Sequence, residues 1–195
     1  MSEIWVTSDS HFGHAKCLQF DVPCRACLGA AVSWCADCHG TRLVKMRPFA
    51  TVQEMDEYII DQWNAVVKPQ DKVYHLGDVA MNRKHLPTIA RCRGHRRLVR
   101  GNHDIFDTSE YMEYFDDIYG TRHFPKVGVV LSHIPLHPES VKPGYINIHG
   151  HLHNNQPQGH LGPLYYNVCV EMTEYRPLTL GEVKERHAKL FAPVV

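Results

Sequence analysis

Ile4-Trp5-Val6-Thr7-Ser8-Asp9-Ser10-His11-Phe12-Gly13-His14 is the stretch whose reading decides the fold. Four uncharged, β-favouring residues run straight into a polar turn of ligand-type side chains. Ile4 to Thr7 reads as a buried first strand, and Ser8 to His14 as the loop at its carboxyl end. The same arrangement recurs four more times. Lys72-Val73-Tyr74-His75-Leu76 runs into Gly77-Asp78, and Arg97-Leu98-Val99-Arg100 into Gly101-Asn102-His103-Asp104. Val127 to Leu131 runs into Ser132-His133, and Tyr145 to Ile148 into Gly150-His151-Leu152-His153. Ligands of α/β sheets bind outside the carboxyl ends of the strands. Five polar clusters at five strand ends are therefore expected to converge on one site.

Helical signals fill the gaps. Thr51 is the expected N-cap of a helix, with Glu54 completing a capping box. Met55, Tyr58, Ile59 and Trp63 form its apolar face, and it stops before Pro69. A short helix is expected over Arg83 to Arg91, a strand over Tyr165 to Val170, and a closing helix over Leu180 to Leu190. With 195 residues, 44% hydrophobic and 22% charged, the chain fits a single α/β domain, 1–195, and not a disordered chain. A formal net charge of +0 removes any global basic field and argues against a duplex-DNA binder. Ile4 to Thr7 is too short for a signal or a membrane span. The expected location is the cytoplasm, where cysteines serve as thiols or metal ligands.

Asp9, His11, Asp78, Asn102, His133, His151 and His153 are the candidate metal ligands. Two adjacent divalent ions need roughly seven or eight protein ligands, and this mixed oxygen and nitrogen set suits Mn, Fe, Zn or Ni. The D-x-H spacing of Asp9 and His11 aims both side chains at one ion. In the H-x-H pair His151 and His153, one ring can serve each ion. His75 and His149 are expected to be structural, or partners that orient ligands. His14 is a candidate substrate contact.

Asp9-Ser10-His11, Gly77-Asp78, Gly101-Asn102-His103-Asp104, Ser132-His133 and Gly150-His151-Leu152-His153, taken in that order, resemble the motifs of the calcineurin-like metallophosphoesterases. The resemblance is nearest to the small bacterial and bacteriophage members, through Ser8 to His14, Arg47-Pro48-Phe49 and Tyr74 to Asp78. It covers nearly the whole chain apart from a cysteine-rich insert. It implies a four-layer α/β/β/α sandwich. One metal would take Asp9, His11, Asp78 and His153, and the other Asp78, Asn102, His133 and His151. It further implies that His103 protonates the leaving oxygen, oriented by Asp104, while a water bridging the metals attacks in line. A positioned imidazole beside a phosphoryl group is a competent general acid.

Residues 24–43 depart from that family pattern. Cys24-x2-Cys27 and Cys35-x2-Cys38, seven residues apart, fit a tetrahedral, structural zinc site in a compact lobe. His39 is an alternative fourth ligand, and a redox role for the CxxC pairs is the rival reading. The lobe is expected to wall the active-site cleft and shape substrate access. Arg25, Arg42, Lys45 and Arg47 read as a solvated basic rim. Cys17, Cys92 and Cys169 read as buried thiols.

The function expected is a phosphodiesterase for small diesters, cyclic nucleotides above all (2′,3′- or 3′,5′-cyclic). A phosphomonoesterase or nuclease on the same fold is the first alternative. Gly77-Asp78 continues into Val79-Ala80, without the Asp-Arg-Gly extension of the family's protein phosphatases, which disfavours protein substrates. The second alternative is a scaffold that has lost catalysis. Every expected ligand position is filled, which disfavours it.

Overall fold

Two sheets form because the apolar runs alternate sides. The computed structural model describes residues 2–27 and 34–192, so residues 28–33 of the predicted zinc lobe lie outside the described residues. The strands are β1 (Ile4–Thr7), β2 (Asp21–Pro23), β3 (Leu43–Lys45), β4 (Lys72–His75), β5 (His95–Val99), β6 (Asp117–Tyr119), β7 (Thr121–Phe124), β8 (Val129–Ser132), β9 (Ile146–His149), β10 (Tyr165–Asn167) and β11 (Leu178–Thr179). The helices are α1 (Val52–Val66), α2 (Thr108–Met112) and α3 (Leu180–Leu190), with a tighter 3₁₀ helix over Arg83–Arg91.

One sheet has the order β11-β1-β4-β5-β6 and the other β10-β9-β8-β7, while β2 and β3 pair as a separate hairpin. β1, β4, β5 and β6 run parallel, as do β8, β9 and β10, with β11 and β7 antiparallel at the edges. The motif-bearing strands β1, β4 and β5 are adjacent in one sheet, and β8 and β9 in the other. Parallel order puts all their carboxyl ends on one rim, as the sequence pattern required.

Each strand of the first sheet divides its side chains between two cores. Trp5, Val73 and Leu98 face α1 and the 83–91 helix, while Val6, Tyr74 and Val99 face Val129, Leu131, Ile148 and Tyr166 of the second sheet. Leu180 and Val183 of α3 close the inter-sheet core at its edge. On the far face of the second sheet, Asn147 accepts the Leu136 N–H (2.8 Å) and Tyr165 donates to the Leu136 carbonyl (2.8 Å). The segment 134–145, with a helical turn at Pro138–Ser140, thus lies over that face.

Thr51 accepts the Glu54 N–H at 3.1 Å, as a helix N-cap should. The capping box is incomplete, because the Glu54 carboxylate takes the Ala50 N–H (2.9 Å) rather than that of Thr51. The buried face of α1 is Met55, Ile59, Ile60 and Trp63; Tyr58, expected on it, is 42% exposed and packs at a tilt against Phe49 and edge-on against Tyr175. The strand expected from Val127 begins at Val129, after a turn closed by Gly128 in the left-handed region (φ 65°). The strand expected over Tyr165–Val170 stops at Asn167, and a helical turn over Val170–Met172 follows. No helix among the described residues is long and apolar enough to cross a membrane.

Ile59→Ala should lose ~2–5 kcal/mol of unfolding free energy, the cost of an unfilled core site. Tyr58→Ala should lose less than half as much. Urea melts of the two variants check this, and an equal loss would place Tyr58 on the buried face after all.

Candidate metal centre

The turn after β1 is drawn against the turn after β4. The Asp9 N–H donates to the Gly77 carbonyl (3.0 Å), and the His11 N–H to that of Asp78 (3.1 Å). Between them stands His75, fully buried. It accepts the Gly77 N–H on Nδ1 (3.2 Å), so its proton sits on Nε2, which donates to Ser10 Oγ (2.9 Å). Ser10 Oγ passes the chain on to the Val79 carbonyl (3.0 Å). Burial pushes His75 down to about 4, which keeps the ring neutral and this chain of bonds intact.

Five candidate ligands occupy the left-handed backbone region: Asp9 (φ 59°), His11 (48°), Asp78 (56°), His151 (68°) and His153 (48°). That conformation costs an L-residue about 1–2 kcal/mol, and its concentration in one place marks a site where geometry is imposed by surrounding structure. Close backbone approach is imposed too. A Cβ at Gly77 would lie 2.5 Å from the Gly101 nitrogen, so Gly77 lets the two motif turns touch.

The side chains converge. His11 Nε2 is 3.7 Å from Asp9 Oδ1 and 3.7 Å from Asp78 Oδ2. His153 Nε2 is 3.7 Å from Asp9 Oδ1, and its ring stacks on His11 with centroids 5.2 Å apart. His133 Nε2 is 3.5 Å from Asp78 Oδ2 and 2.8 Å from Asn102 Oδ1. The His151 ring meets His133 edge-on at 5.1 Å, and the His151 N–H donates to Asp9 Oδ2 (2.9 Å). Ligand atoms each about 2.1 Å from a shared ion lie about 3–4 Å from one another. Asp78 therefore stands between two groups: Asp9, His11 and His153 on one side, Asn102 and His133 on the other, with His151 beside them.

Asp9 Oδ1 and both ring nitrogens of His11 are buried with no hydrogen-bond partner among the described residues. Orphaned buried polar atoms are expensive, and a cation between Asp9 Oδ1 and His11 Nε2 would satisfy both of those. His133 and His153 are prepared in the way metal-binding histidines are. The Nδ1 of His133 donates to the Leu76 carbonyl (2.7 Å) and that of His153 to the Glu171 carboxylate (3.0 Å), so each Nε2 lone pair faces the cluster. Burial opposes ionisation of Asp9, yet His11, His153 and His133 hold its carboxyl well below the usual range. Asp78 moves the other way, raised by burial and then by the Asp9 charge. Cations between the two would relieve that repulsion.

His103 is exposed, its ring 5.9 Å from His11 and its backbone N–H bonded to Asp78 Oδ1 (2.8 Å). The pairing of Asp104 with this ring is a correction. Both Asp104 oxygens are taken by backbone N–H groups, those of Asp78 (2.8 Å), Gly101 (2.8 Å) and Val79 (3.0 Å). Asp104 shapes the turn that carries His103 and does not touch the imidazole. His14 is the candidate substrate contact. It lines a cavity of about 540 Å³ with His11, Asp78, His103, His151 and His153, and burial, with His11 next, lowers it to about 4.

Arg47 also differs from its expected place on a basic rim. It is fully buried, donating to Glu171 Oε1 (2.7 Å), to the Ser10 carbonyl (2.8 Å) and to that of Asp9. Glu171 was not singled out in the sequence, though a lone carboxylate ending the apolar run Tyr165–Val170 was its signal. Burial resists its charge, but Arg47 and then His153 pull it down to about 2. Cys169 is buried as expected, and its thiol also donates to Asp9 Oδ2 (3.2 Å) and accepts the His153 N–H (3.2 Å).

In the insert, Cys24 and Cys35 sulfurs are 3.8 Å apart and Cys27 and Cys38 sulfurs 3.4 Å, and all four lie within 4.8 Å of one another. A disulfide needs about 2.05 Å, whereas four thiolates on one tetrahedral zinc stand about 3.8 Å apart. Backbone N–H groups of Cys38 and Asp37 bring the Cys35 thiol down to about 7. Cys24, Cys27, Cys35 and Cys38 are thus grouped closely enough to hold a metal ion, and no cysteine is in a disulfide.

No family model matches the chain. It is similar to the uncharacterized protein MJ1445 of Methanocaldococcus jannaschii, 29% identical over 193 residues, which cover 92% of this chain and 88% of that protein. It is also similar to the gene 66 protein of Mycobacterium phage L5, 30% identical over 110 residues that cover 53% of this chain and 41% of that one. Among solved structures, the protein of unknown function AQ665 from Aquifex aeolicus superposes with a TM-score of 0.64 over 95% of this chain and all of its own, at 24% identity. That likeness shows a shared mixed α/β fold.

His75 gives a pH test. Its folded-state pKa of about 4 lies below the 6.5 of a free histidine, so the unfolded chain takes up a proton that the folded one refuses. Stability of chelator-treated protein should be level above pH 6.5 and fall as pH drops from there toward 4. In His75→Gln, whose amide can accept and donate at the same places, urea midpoints should fall less steeply over that window. An unchanged slope would mean that His75 does not carry the effect.

Proposed function

We propose that this chain is a two-metal phosphodiesterase acting on small diesters, cyclic nucleotides (2′,3′- or 3′,5′-cyclic) among them. The observation that carries the reading is the convergence of six Asp, His and Asn residues around Asp78, with Asp9 Oδ1 and both His11 nitrogens buried and unpartnered. The finer architecture that goes with it is the α/β/β/α sandwich of the calcineurin-like metallophosphoesterases. In that reading α1 with the 83–91 helix and the two sheets would be three of the layers, and the 134–145 segment, with its single helical turn, would stand in place of the fourth.

Asp9, His11, Asp78 and His153 would hold one ion, and Asp78, Asn102, His133 and His151 the other, with Mn, Fe, Zn or Ni suited to the donors. Such a pair supplies Lewis acidity and an acidified water. The chain supplies the rest. Asp104 stakes the 101–104 turn, which holds His103 at the cavity, where its imidazole reaches the leaving oxygen of a bound diester and gives it a proton. His14 faces the same space as a contact for the ester's substituent. The four cysteines would take a structural zinc, and free thiols throughout fit a reducing, cytoplasmic setting.

Protein supplied with Mn²⁺ should hydrolyse bis-p-nitrophenyl phosphate and, in a substrate panel, cyclic nucleotides. Loss of all turnover on diesters and monoesters with metals bound would favour the scaffold alternative, and turnover of monoesters alone the phosphomonoesterase. His103→Ala should lower kcat about 10²–10⁴-fold with metal content unchanged; a lost metal would make His103 a ligand. Cys35→Ser should release the zinc and spare the ions of the main site. Elemental analysis reads both, and an unaltered zinc content in Cys35→Ser would disprove the four-cysteine site.

A further inference from the structure

The hairpin at the base of the insert delivers an aromatic ring to the cavity. β2 and β3 pair Asp21 with Lys45 and Val22 with Val44, and the Met46 N–H donates to the Phe20 carbonyl (2.9 Å), extending the ladder by one pair. Side chains alternate across such a ladder. Asp21 and Lys45 lie on one face as an ion pair (2.9 Å). Phe20, Val22, Val44 and Met46 lie on the other, where Val22 and Met46 are 2% and 5% exposed in the main core and Val44 packs against it.

Phe20 is on this core-facing side, yet it is 49% exposed. The reason is its position. The core ends at Met46, and beyond it the hairpin borders the cavity that Phe20 and Met46 line together with Asp21, Met81, Asn155 and three of the candidate metal-site histidines. Its volume, about 540 Å³, falls within the roughly 300–1,000 Å³ of small-molecule sites and leaves space beyond a phosphate group. Methionine side chains adapt to a ring face, and an aromatic ring offers a flat one on which bases stack whatever their identity.

We propose that Phe20 is the seat of a planar aromatic group of the substrate, a nucleobase joined to the scissile phosphodiester. The proposal rests on the phosphodiesterase reading and names the kind of substituent that the site selects. The hairpin at the base of the insert then determines specificity by presenting Phe20, and the metal ligands meet the phosphate end.

The test uses three p-nitrophenyl esters with the same leaving group, those of thymidine 5′-monophosphate, hexyl phosphate and methyl phosphate, on the full Mn²⁺-loaded chain. Phe20→Ala should raise KM for the thymidine ester about tenfold, with kcat within about twofold. The methyl and hexyl esters should change less than about threefold, and Phe20→Trp should restore the thymidine ester. Equal losses on all three esters, an unaffected thymidine ester, or a hexyl loss as large as the thymidine one would overturn the proposal. If the unaltered chain cleaves none of the three, the phosphodiesterase reading fails by itself, and calorimetry with thymidine 5′-monophosphate decides the seat. Binding about tenfold weaker in Phe20→Ala supports it. Unchanged binding, or none to the unaltered chain, overturns it.

Discussion

Asp9 is sealed from solvent with one carboxylate oxygen facing two histidine rings and no hydrogen-bond donor. That oxygen is the constraint from which the rest of the structure follows. Its other oxygen accepts the His151 N–H and the Cys169 thiol, and its backbone is tied to Gly77 and Arg47. A carboxylate so held cannot turn to find water. A buried charge of this kind is tolerated only when paired or metal-bound, and the His11 and His153 nitrogens stand 3.7 Å from it, spaced as ligands of one ion would be.

Around that group, supporting residues do two different jobs. His75, Arg47 and Asp104 lock the backbone turns: Arg47 holds the Asp9 and Ser10 carbonyls, His75 links the Gly77 N–H to the Ser10 hydroxyl, and Asp104 takes N–H groups of both the 77–79 and 101–104 turns. Glu171 and the Leu76 carbonyl instead fix imidazole tautomers, so that His153 and His133 point bare nitrogens inward. Left-handed backbone at Asp9, His11, Asp78, His151 and His153 is the conformational cost of aiming short side chains back over the strand ends. Three separate sheet contacts, β1 to β4, β4 to β5 and β8 to β9, meet that cost.

The strand-then-ligand rhythm was readable because both halves are local. Ile4–Thr7 and Leu180–Leu190 came out with the expected bounds, and the other motif strands shifted by a residue or two. The seven ligand candidates followed from where those strands end. What stayed hidden depends on contacts distant in sequence. Arg47 reads as a surface cation until Glu171, over a hundred residues on, is seen to pair with it. Asp104 lies beside His103 in sequence, but its oxygens are captured by three backbone N–H groups on two turns. Short elements such as β6, β7 and β11 have too few residues to show a period and exist through their neighbours.

The cysteine lobe joins this framework through its hairpin stem, and Arg25 of the first knuckle also donates to Met172, the residue after Glu171. The insert is thus anchored to the segment that orients His153. The proposed two-metal reading rests on a pair of cations flanking Asp78. Anomalous diffraction at the manganese edge from crystals grown with Mn²⁺ addresses it directly. The account predicts two peaks about 3.5–4 Å apart with the Asp78 carboxylate between them, and a result with no peak there, or one peak outside the seven side chains, would contradict it.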